Sequence, residues 1–264
     1  MPNFLCIRLH GPLASWGDVA VGDRRPSSPH LSRSAVLGLV AGALGLRRSD
    51  SAALQALDDS LGFAARTDAP GELLTDFHTA QGPAEALLRS DARAAKREGR
   101  PWHRPATRRA ELAWPRADLQ TVLSQRQYRV DALWTAALWL RGRAAQRWTL
   151  EDISAALSRP QFVPYLGRKS CPLDIPMQPQ VVKAADPVAA MAKALFNTDD
   201  ILAAVLGRGR RATVHWEESW TGLVPDQSVR RRDRVISRSR WQFTERTEHQ
   251  KASPEPEAAR DVPE

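Results

Sequence analysis

Near the N-terminus stands NFLCIRLH (residues 3–10), in which Leu5, Ile7 and Leu9 alternate with less apolar residues. This period of two is typical of a β-strand with one face in the core. After a loop follows SAVLGLVAGALGL (residues 34–46), where Ser34 is a suitable N-cap for an apolar helix. The chain is therefore predicted to begin with a strand followed by a helix.

Three glycines interrupt this predicted helix, namely Gly38, Gly42 and Gly45. Each costs about 1 kcal/mol relative to Ala in a helix interior. Their spacing of four and three residues places them on about one face of the helix. A close approach to a sheet or to an RNA backbone would compensate for that cost.

The remaining elements continue an alternation of strands and helices. Further strands are predicted at residues 61–66, 128–140 (one strand or two short ones), 212–216 and 235–243. Further helices are predicted to begin at Thr149 with a capping box at Asp152, at Asp186 with Pro187, and at Thr198, the last ending at Gly207. The order fits an α+β, ferredoxin-like (RNA-recognition-motif-like) β-α-β-β-α-β core. An aromatic RNP motif is missing, so topology alone does not assign a function.

Residues 79–125 differ in character, because they are poor in β-branched residues and rich in Arg, Ala and Pro. Between residues 89 and 109, eight cations face two carboxylates, a net charge of +6. We predict an inserted basic arm at 79–125, a body at 1–78 and 126–248, and a disordered acidic tail at 249–264, which is rich in Pro, Glu and Ala. A solvated disordered loop is the alternative for the arm.

The charge balance favours a polyanionic partner. The formal net charge is +8, and the tail from Lys251 holds two cations and four carboxylates, so residues 1–250 carry +10. Nucleic acid is the commonest partner of such a chain, although basic proteins without that role also occur. Cys6 and Cys171 have no metal-ligand spacing. The twelve-residue apolar run at 35–46 is too short to span a bilayer. We expect a cytoplasmic protein with no cofactor, metal, small-molecule ligand or membrane contact.

Four segments in this order resemble one known family. They are GPLASWG (11–17), RRPSSPHLSRSAVLGLVAGALGL (24–46), DFHTAQG (76–82) and FVPYLGRKSCPLDIP (162–176), and LSQRQYRVDALWTAALWL (123–140) adds to them. Together they are similar to the CasD family of type I-E CRISPR Cascade subunits. The resemblance is good from Pro2 to Pro176 and looser to Arg246. The Arg-rich arm and the acidic tail depart from the family.

The resemblance implies a fold, partners and a role. The fold would be a ferredoxin-like body with a β-hairpin thumb. The partners would be the 5′ handle of the CRISPR RNA, the repeated Cascade backbone subunits and the Cascade large subunit. The role would be non-catalytic, within an antiviral ribonucleoprotein complex, because a separate subunit matures the guide RNA in type I-E systems.

Residues of several types are predicted to contact RNA. Around a Ser-rich loop before the helix they comprise Arg24, Arg25, Ser27, Arg33 and Ser34, which together resemble a phosphate cradle at a helix N-terminus. In YLGRKS they comprise Tyr165 for stacking, Gly167 for close backbone approach, and Arg168 and Lys169 for phosphate. His78 and Arg126 complete the predicted set. For each group the alternative is an ordinary structural or solvated role.

The arm supplies a second predicted set for RNA or a partner subunit, consisting of Arg97, Arg100, Trp102, Arg104, Arg108 and Arg109. An Arg-rich run between residues 230 and 240 is predicted to lie partly along RNA and partly in solvent.

Two other functions remain open. A metal-independent endoribonuclease, as in type I-C relatives, would need a base and a cation, which His78, Tyr165 and Lys169 could supply. A structural backbone subunit would touch only protein, and the Arg content argues against it.

Overall fold

In the computed structural model, residues 1–17, 20, 22–142, 147–197, 203, 212–237, 240 and 242–252 are described. The helix predicted from Thr198 to Gly207 lies outside them apart from Ala203, and so does the tail from Ser253. The chain divides into two units, the first consisting of residues 1–18, 26–74 and 128–264 and the second of residues 19–25 and 75–127. The predicted arm lies within the second unit.

Nine strands occur in the described residues: β1 (Asn3–Ala14), β2 (Arg24–Arg25), β3 (Leu61–Ala69), β4 (Glu72–Pro83), β5 (Leu119–Leu140), β6 (Gln180–Lys183), β7 (Thr213–Trp216), β8 (Gln227–Ser237) and β9 (Gln242–Ala252). The same residues contain the helices α1 (Arg33–Ala43), α2 (Ser51–Ser60), α3 (Glu85–Glu98), α4 (Arg108–Glu111), α5 (Leu150–Ser158) and α6 (Pro187–Lys193), with a 3₁₀ turn at Arg116–Asp118. Among these helices, none is long and apolar enough to cross a membrane.

The strands form a mixed α/β fold around an antiparallel sheet. Their order is β6-β1-β5-β3-β7-β9-β8, and β2 and β4 also pair with β5. The β2–β5 ladder is parallel, whereas β1 and β3 both pair antiparallel with β5. Strand β5 is a single strand of 22 residues with Asp131 at a φ of 52°, which selects the first of the two alternatives predicted for residues 128–140 and begins nine residues earlier.

Both faces of the sheet are covered in the first unit. Leu5, Ile7 and Leu9 join a core cluster with α1, α2 and α5, whereas Phe4 and Cys6 join a second cluster with α6. The half-buried strand predicted at residues 3–10 is therefore wrong in one respect, because its polar face is buried as well. Arg8 is covered by the ring of Phe196 at 4.6 Å, and His10 contacts Asp174 at 2.8 Å.

Local sequence signals place several helix ends. Thr149 and Asp152 form the predicted capping box of α5, and Asp186 caps α6 with Pro187 in its first turn. Helix α1 begins two residues earlier than predicted, because Ser32 rather than Ser34 is its N-cap and accepts a hydrogen bond from the N–H of Ala35. The single strand predicted at 235–243 is wrong, since these residues include parts of two strands, β8 and β9, which pair antiparallel and are called here the β8–β9 hairpin. That hairpin also places residues 249–252 in β9 rather than in the tail.

The two cysteines are buried free thiols in the first unit. Burial raises the pKa of Cys6 to about 12, although the nearby Arg66 charge acts in the opposite direction. Burial also raises the pKa of Cys171. Both side chains are therefore protonated and sheltered at neutral pH.

A buried ion network joins α1 to the sheet. Arg33 is 2% exposed, forms ion pairs with Asp58 and Glu217, and donates a hydrogen bond of 2.8 Å to the carbonyl of Leu61. Arg246 extends the network from β9 by lying 3.4 Å from Glu217 and 2.7 Å from Glu248. Burial favours the neutral carboxyl and raises the pKa of Glu217 despite these arginines. The network links residues far apart in the chain.

Glu248 is the member whose titration affects stability. Burial alone would raise the pKa of its carboxyl, but His215, Arg246 and His30 together lower it to about 2. A carboxyl with a depressed pKa contributes stability above its unfolded-state pKa, near 4.5, and that contribution is lost as the pH falls towards 2.

Replacement of Glu248 by Gln is expected to lower the free energy of unfolding by about 1.5–3 kcal/mol at pH 7, because Arg246 and Arg231 lose a charged hydrogen-bond acceptor while Arg246 keeps Asp233 and Glu217. The difference between variant and wild type should shrink as the pH falls from about 4.5 to 2. Urea unfolding at pH 7, 4 and 3 measures it. A constant difference across this range would contradict the assignment.

Candidate nucleic-acid interface

A groove lies beside helix α1 in the first unit. One side is α1 with Ser34, Ala35, Gly38 and Gly42, and the other is the segment from Phe162 to Tyr165. Its volume is about 330 Å³. Phe162, Val163 and Tyr165 are exposed by 44%, 83% and 41% of their surface, which is unusual for apolar side chains clustered at one place. The groove thus offers an apolar wall that the first unit itself leaves uncovered.

Gly38 and Gly42 form the open face of this groove. A Cβ atom built on either glycine would meet no described atom within 4 Å. Of the two compensations expected for these glycines, close approach to a sheet is therefore wrong. Packing within the described residues therefore does not offset the loss of helix stability that these glycines cause in α1. Approach of RNA remains as the prediction.

The segment opposite α1 is held rigidly. The N–H groups of Gln161 and Phe162 donate hydrogen bonds to the carbonyls of Ala43 and Gly42. Leu166 is fully buried, and its carbonyl accepts a hydrogen bond of 3.0 Å from the N–H of Ser15. These contacts position the neighbouring side chains without using them.

The structure requires glycine at position 167 for a reason other than the predicted close approach of RNA. Its φ is +83°, and a Cβ atom there would lie 1.9 Å from the carbonyl oxygen of Ser15. Close packing against the body therefore requires this glycine, whatever binds outside. Gly167 is nevertheless exposed and lines the groove, so its predicted RNA contact stays a prediction.

The other predicted residues of YLGRKS project from this anchored turn. Tyr165 lines the groove, and Lys169 is exposed. The guanidinium of Arg168 lies 4.7 Å above the ring of the buried Tyr128, a cation–π contact that fixes the charge near the surface. Tyr165 and Lys169 are exposed and can contact a ligand, and Arg168 is held beside them by its contact with Tyr128.

The predicted phosphate cradle is only partly supported. Arg33 is corrected to a core residue, because its guanidinium is buried and engaged with Asp58, Glu217 and backbone carbonyls. Ser27 is also buried, and its hydroxyl accepts a hydrogen bond of 3.2 Å from the N–H of Trp16. Ser34 remains at the groove, where its hydroxyl lies 3.2 Å from that of Ser32.

Arg24 and Arg25 belong to the second unit rather than to this cradle. In the parallel β2–β5 ladder, Arg25 lies opposite Arg126, and Arg24 lies opposite Gln125. All three arginines are exposed. The guanidinium of Arg25 donates to the carbonyl of Gly22 at 2.7 Å, which orients it. Arg25 and Arg126 therefore share one face of the ladder, a pairing that was not foreseen, whereas Arg24 projects from the opposite face.

His78 lies on β4 in the second unit, where its Nε2 is 2.5 Å from a carboxylate oxygen of Asp76. The neighbouring Phe77 is 70% exposed. A ring nitrogen held by a carboxylate is oriented, but it is not an open acceptor for a proton. The pairing leaves Nδ1 available either to hydrogen-bond a ligand or to accept a proton, so it does not decide between these two roles.

The arm contains helices rather than a simple hairpin loop. Several of its predicted contact residues are used within the second unit itself. Trp102 Nε1 donates to Asp91 at 2.7 Å, Arg100 pairs with Asp91 and Glu98, Arg104 with Glu85, and Arg108 with Glu111. These four side chains form contacts within the arm, and their predicted contact with RNA or a partner subunit stays a prediction. Arg97 and Arg109 are exposed and stay in the predicted set.

The Arg-rich run of the β8–β9 hairpin also forms internal ion pairs. Arg231 lies 3.1 Å from Glu248, Arg234 lies 3.1 Å from Asp59, and Arg230 lies 3.6 Å from Glu245. The prediction that this run lies partly along RNA and partly in solvent stays a prediction, since the side chain of Arg230 remains exposed and that of Arg234 partly exposed despite these ion pairs. Arg238 is outside the described residues.

His30, His215 and Glu248 resemble a metal-ligand set, since their candidate ligand atoms lie within 4.8 Å of one another. The two imidazoles are stacked with centroids 4.3 Å apart. Arg231 already donates to Glu248 and approaches His30 Nε2 at 3.2 Å, and Arg246 pairs with the other carboxylate oxygen. A metal ion would have to displace a guanidinium here, so the cluster is better explained as part of the ion network.

Comparison with known proteins identifies the class. The family model described as CRISPR-associated protein (Cas_Cas5) matches residues 4–248, and the chain belongs to this family. Among its relatives is the CRISPR system Cascade subunit CasD of Escherichia coli (strain K12), 32% identical over 222 residues, or 84% of each chain.

Solved structures agree with this membership. A chain of a CRISPR RNA-guided surveillance complex is 26% identical, with a TM-score of 0.59 over 95% of this chain and 90% of that one. A crystal structure of a Cas protein is 22% identical, with a TM-score of 0.54 over 95% of each chain, and shows the likeness of fold.

Gly38→Ala and Gly42→Ala are each expected to stabilise the free chain by about 0.5–1 kcal/mol, because Ala favours a helix and open space receives the methyl group. Gly62→Ala is the matched opposite, since its Cβ would lie 2.0 Å from Trp139 and must destabilise. Thermal unfolding of the three variants measures this. Destabilisation by the two α1 variants would mean that both glycines are needed inside the fold.

Proposed function

We propose that this chain is a non-catalytic subunit of a CRISPR RNA-guided Cascade complex that binds the 5′ handle of the CRISPR RNA. The proposal depends most on one observation, the uncovered groove between α1 and residues 162–165, with two glycines facing empty space. The relative CasD is named as a Cascade subunit, which supports RNA as the ligand of this groove.

The chemistry of the groove suits one or two unstacked nucleotides. Tyr165 and Phe162 provide exposed ring faces for base stacking, which is tolerant of sequence. The glycines allow a sugar or base to approach the α1 backbone closely. Arg47 and Lys169 are exposed and supply charges for phosphate, Arg47 as a lining residue. RNA recognition commonly combines stacking of splayed bases with phosphate contacts in this way.

The second unit adds its own basic cluster. Arg25 and Arg126 lie exposed and opposite each other on paired strands, so these two cations stand near one another, and Arg24 is exposed on the other face of β2. Repulsion between Arg25 and Arg126 is relieved by binding phosphate. We therefore retain all three, with His78, as proposed contacts to the handle.

The strand order supports the finer fold assignment. Along the chain β1, β3, β5 and β6 are separated by α1 with α2, by the arm, and by α5, and they lie in the sheet as β6-β1-β5-β3. A ferredoxin-like β-α-β-β-α-β core has this arrangement. We propose such a core for the body, with residues 79–125 as its thumb. We also propose that the cytoplasmic complex brings the chain against backbone subunits and the large subunit.

Filling the groove tests the handle-binding proposal. Gly38→Leu combined with Gly42→Leu should reduce guide RNA in the purified complex at least tenfold, because the side chains occupy the space meant for nucleotides. Guide RNA per complex is measured by extraction and gel quantification.

The matched control is Ala52→Leu combined with Ala56→Leu, on the exposed face of α2 and outside the groove. These changes add the same apolar bulk and should leave guide content unchanged. Full guide content in the groove variant would remove the groove from the RNA path, whereas loss in both variants would indicate a general assembly defect.

The endoribonuclease alternative finds limited support. His78 pairs with Asp76, which leaves its other ring nitrogen available as a base, so the alternative requires a direct test. We expect the purified chain to leave labelled repeat RNA uncut over hours without metal ions. Cleavage that disappears in His78→Ala would instead establish the alternative and overturn the non-catalytic assignment.

A further inference from the structure

One face of helix α3 concentrates cations without balancing carboxylates. Leu88 and Ala95 are buried and define the inner face of the helix within the second unit. At 100° per residue, Arg93 and Arg97 point away from that face, with Lys96 beside them. These three side chains are exposed and, together with Ser90, line a shallow depression.

The acidic residues of α3 pair with residues that follow the helix, and not with the cations of this face. Asp91 accepts from both Arg100 and Trp102, Glu98 pairs with Arg100, and Glu85 pairs with Arg104 at 2.9 Å. Hydrogen bonds from Arg100 and Trp102 lower the pKa of Asp91, so that carboxylate is ionised at neutral pH. These carboxylates thus hold residues 100–104 against the helix. They do not pair with Arg93, Lys96 or Arg97 on the other face.

This separation of charge is unfavourable for the isolated helix. Arg89, Arg93 and Arg97 follow one another at four-residue spacing, and like charges at that spacing destabilise a helix. Among the described residues, the one carboxylate paired with this row is Glu85, 3.6 Å from Arg89. A polyanion bound along the row would remove the repulsion.

We infer that Arg93, Lys96 and Arg97 of α3 form a phosphate-contacting face, which binds the sugar–phosphate backbone of the guide RNA outside the handle groove. The inference rests on the proposed function, and it narrows the basic arm predicted from the sequence to one face of α3, adding Arg93 and Lys96 to the predicted Arg97. RNA backbone fits better than a partner protein because the face has no side chain larger than Ala among its apolar residues. The centres of protein interfaces are rich in aromatic and large apolar side chains.

The test uses the assembled complex with its guide RNA. The quantity measured is the affinity of the complex for guide RNA at several salt concentrations. The triple variant Arg93→Gln/Lys96→Gln/Arg97→Gln loses three phosphate contacts. The slope of the logarithm of affinity against the logarithm of salt concentration should therefore fall in magnitude by roughly 2, at about 0.7 per phosphate. Arg116→Gln/Lys183→Gln/Lys251→Gln removes the same charge elsewhere and should keep the wild-type slope. Arg93→Lys/Arg97→Lys keeps the charge and should keep most of the slope.

A photo-crosslinking residue at position 90 separates RNA from protein as the occupant. Crosslinks to guide RNA, with the reduced slope in the Gln variant alone, support the inference. Crosslinks to a protein subunit, or a slope unchanged in the Gln variant, overturn it while the handle proposal stands. If the wild-type complex contains no guide RNA, the proposed function itself fails, and this inference fails with it. Circular dichroism of each free variant confirms that α3 is retained.

Discussion

The buried guanidinium of Arg33 is the interaction on which the first unit depends. It stands at the first residue of α1 and engages Asp58 near the end of α2, the carbonyl of Leu61 at the start of β3, and Glu217 immediately after β7. Because a buried charge is costly unless it is fully paired, this site permits little variation in the position of α1. The direction in which the glycine face of α1 points therefore follows from a charge at the other side of the same helix.

The same principle sorts the cations of the chain into two groups. Arginines with carboxylates nearby, such as Arg33, Arg100 and Arg246, hold segments together and are satisfied without a ligand. Arginines that are exposed on rows without acidic neighbours, such as Arg93 and Arg97, gain most from an external anion. A net positive charge thus says little by itself, because only the second group is available for nucleic acid.

Sequence patterns predicted those features that depend on near neighbours. The capping box of Thr149 and Asp152 and the strand starting at Leu61 needed no distant information. Arg33 was misjudged because its partner Glu217 lies 184 residues away. Helix α3 had a local signal that was missed, since EALLRSDARAAKRE is rich in good helix formers and ends at Gly99 in the left-handed conformation. The groove was predicted in part. The spacing of the glycines on one face of α1 was visible in the sequence, but the position of the segment from Phe162 to Tyr165 opposite them was not.

The burial of both thiols has a practical meaning for spectroscopy. Cys6 and Cys171 are fully covered, and the raised pKa of each keeps the reactive thiolate scarce at neutral pH. The natural chain is thus nearly silent towards maleimide dyes, since the thiolate is the species that reacts. A cysteine introduced on the surface of each unit would take up label selectively. The distance between the two units could then be followed by fluorescence energy transfer in the wild-type background, with no need to delete a native cysteine from the core.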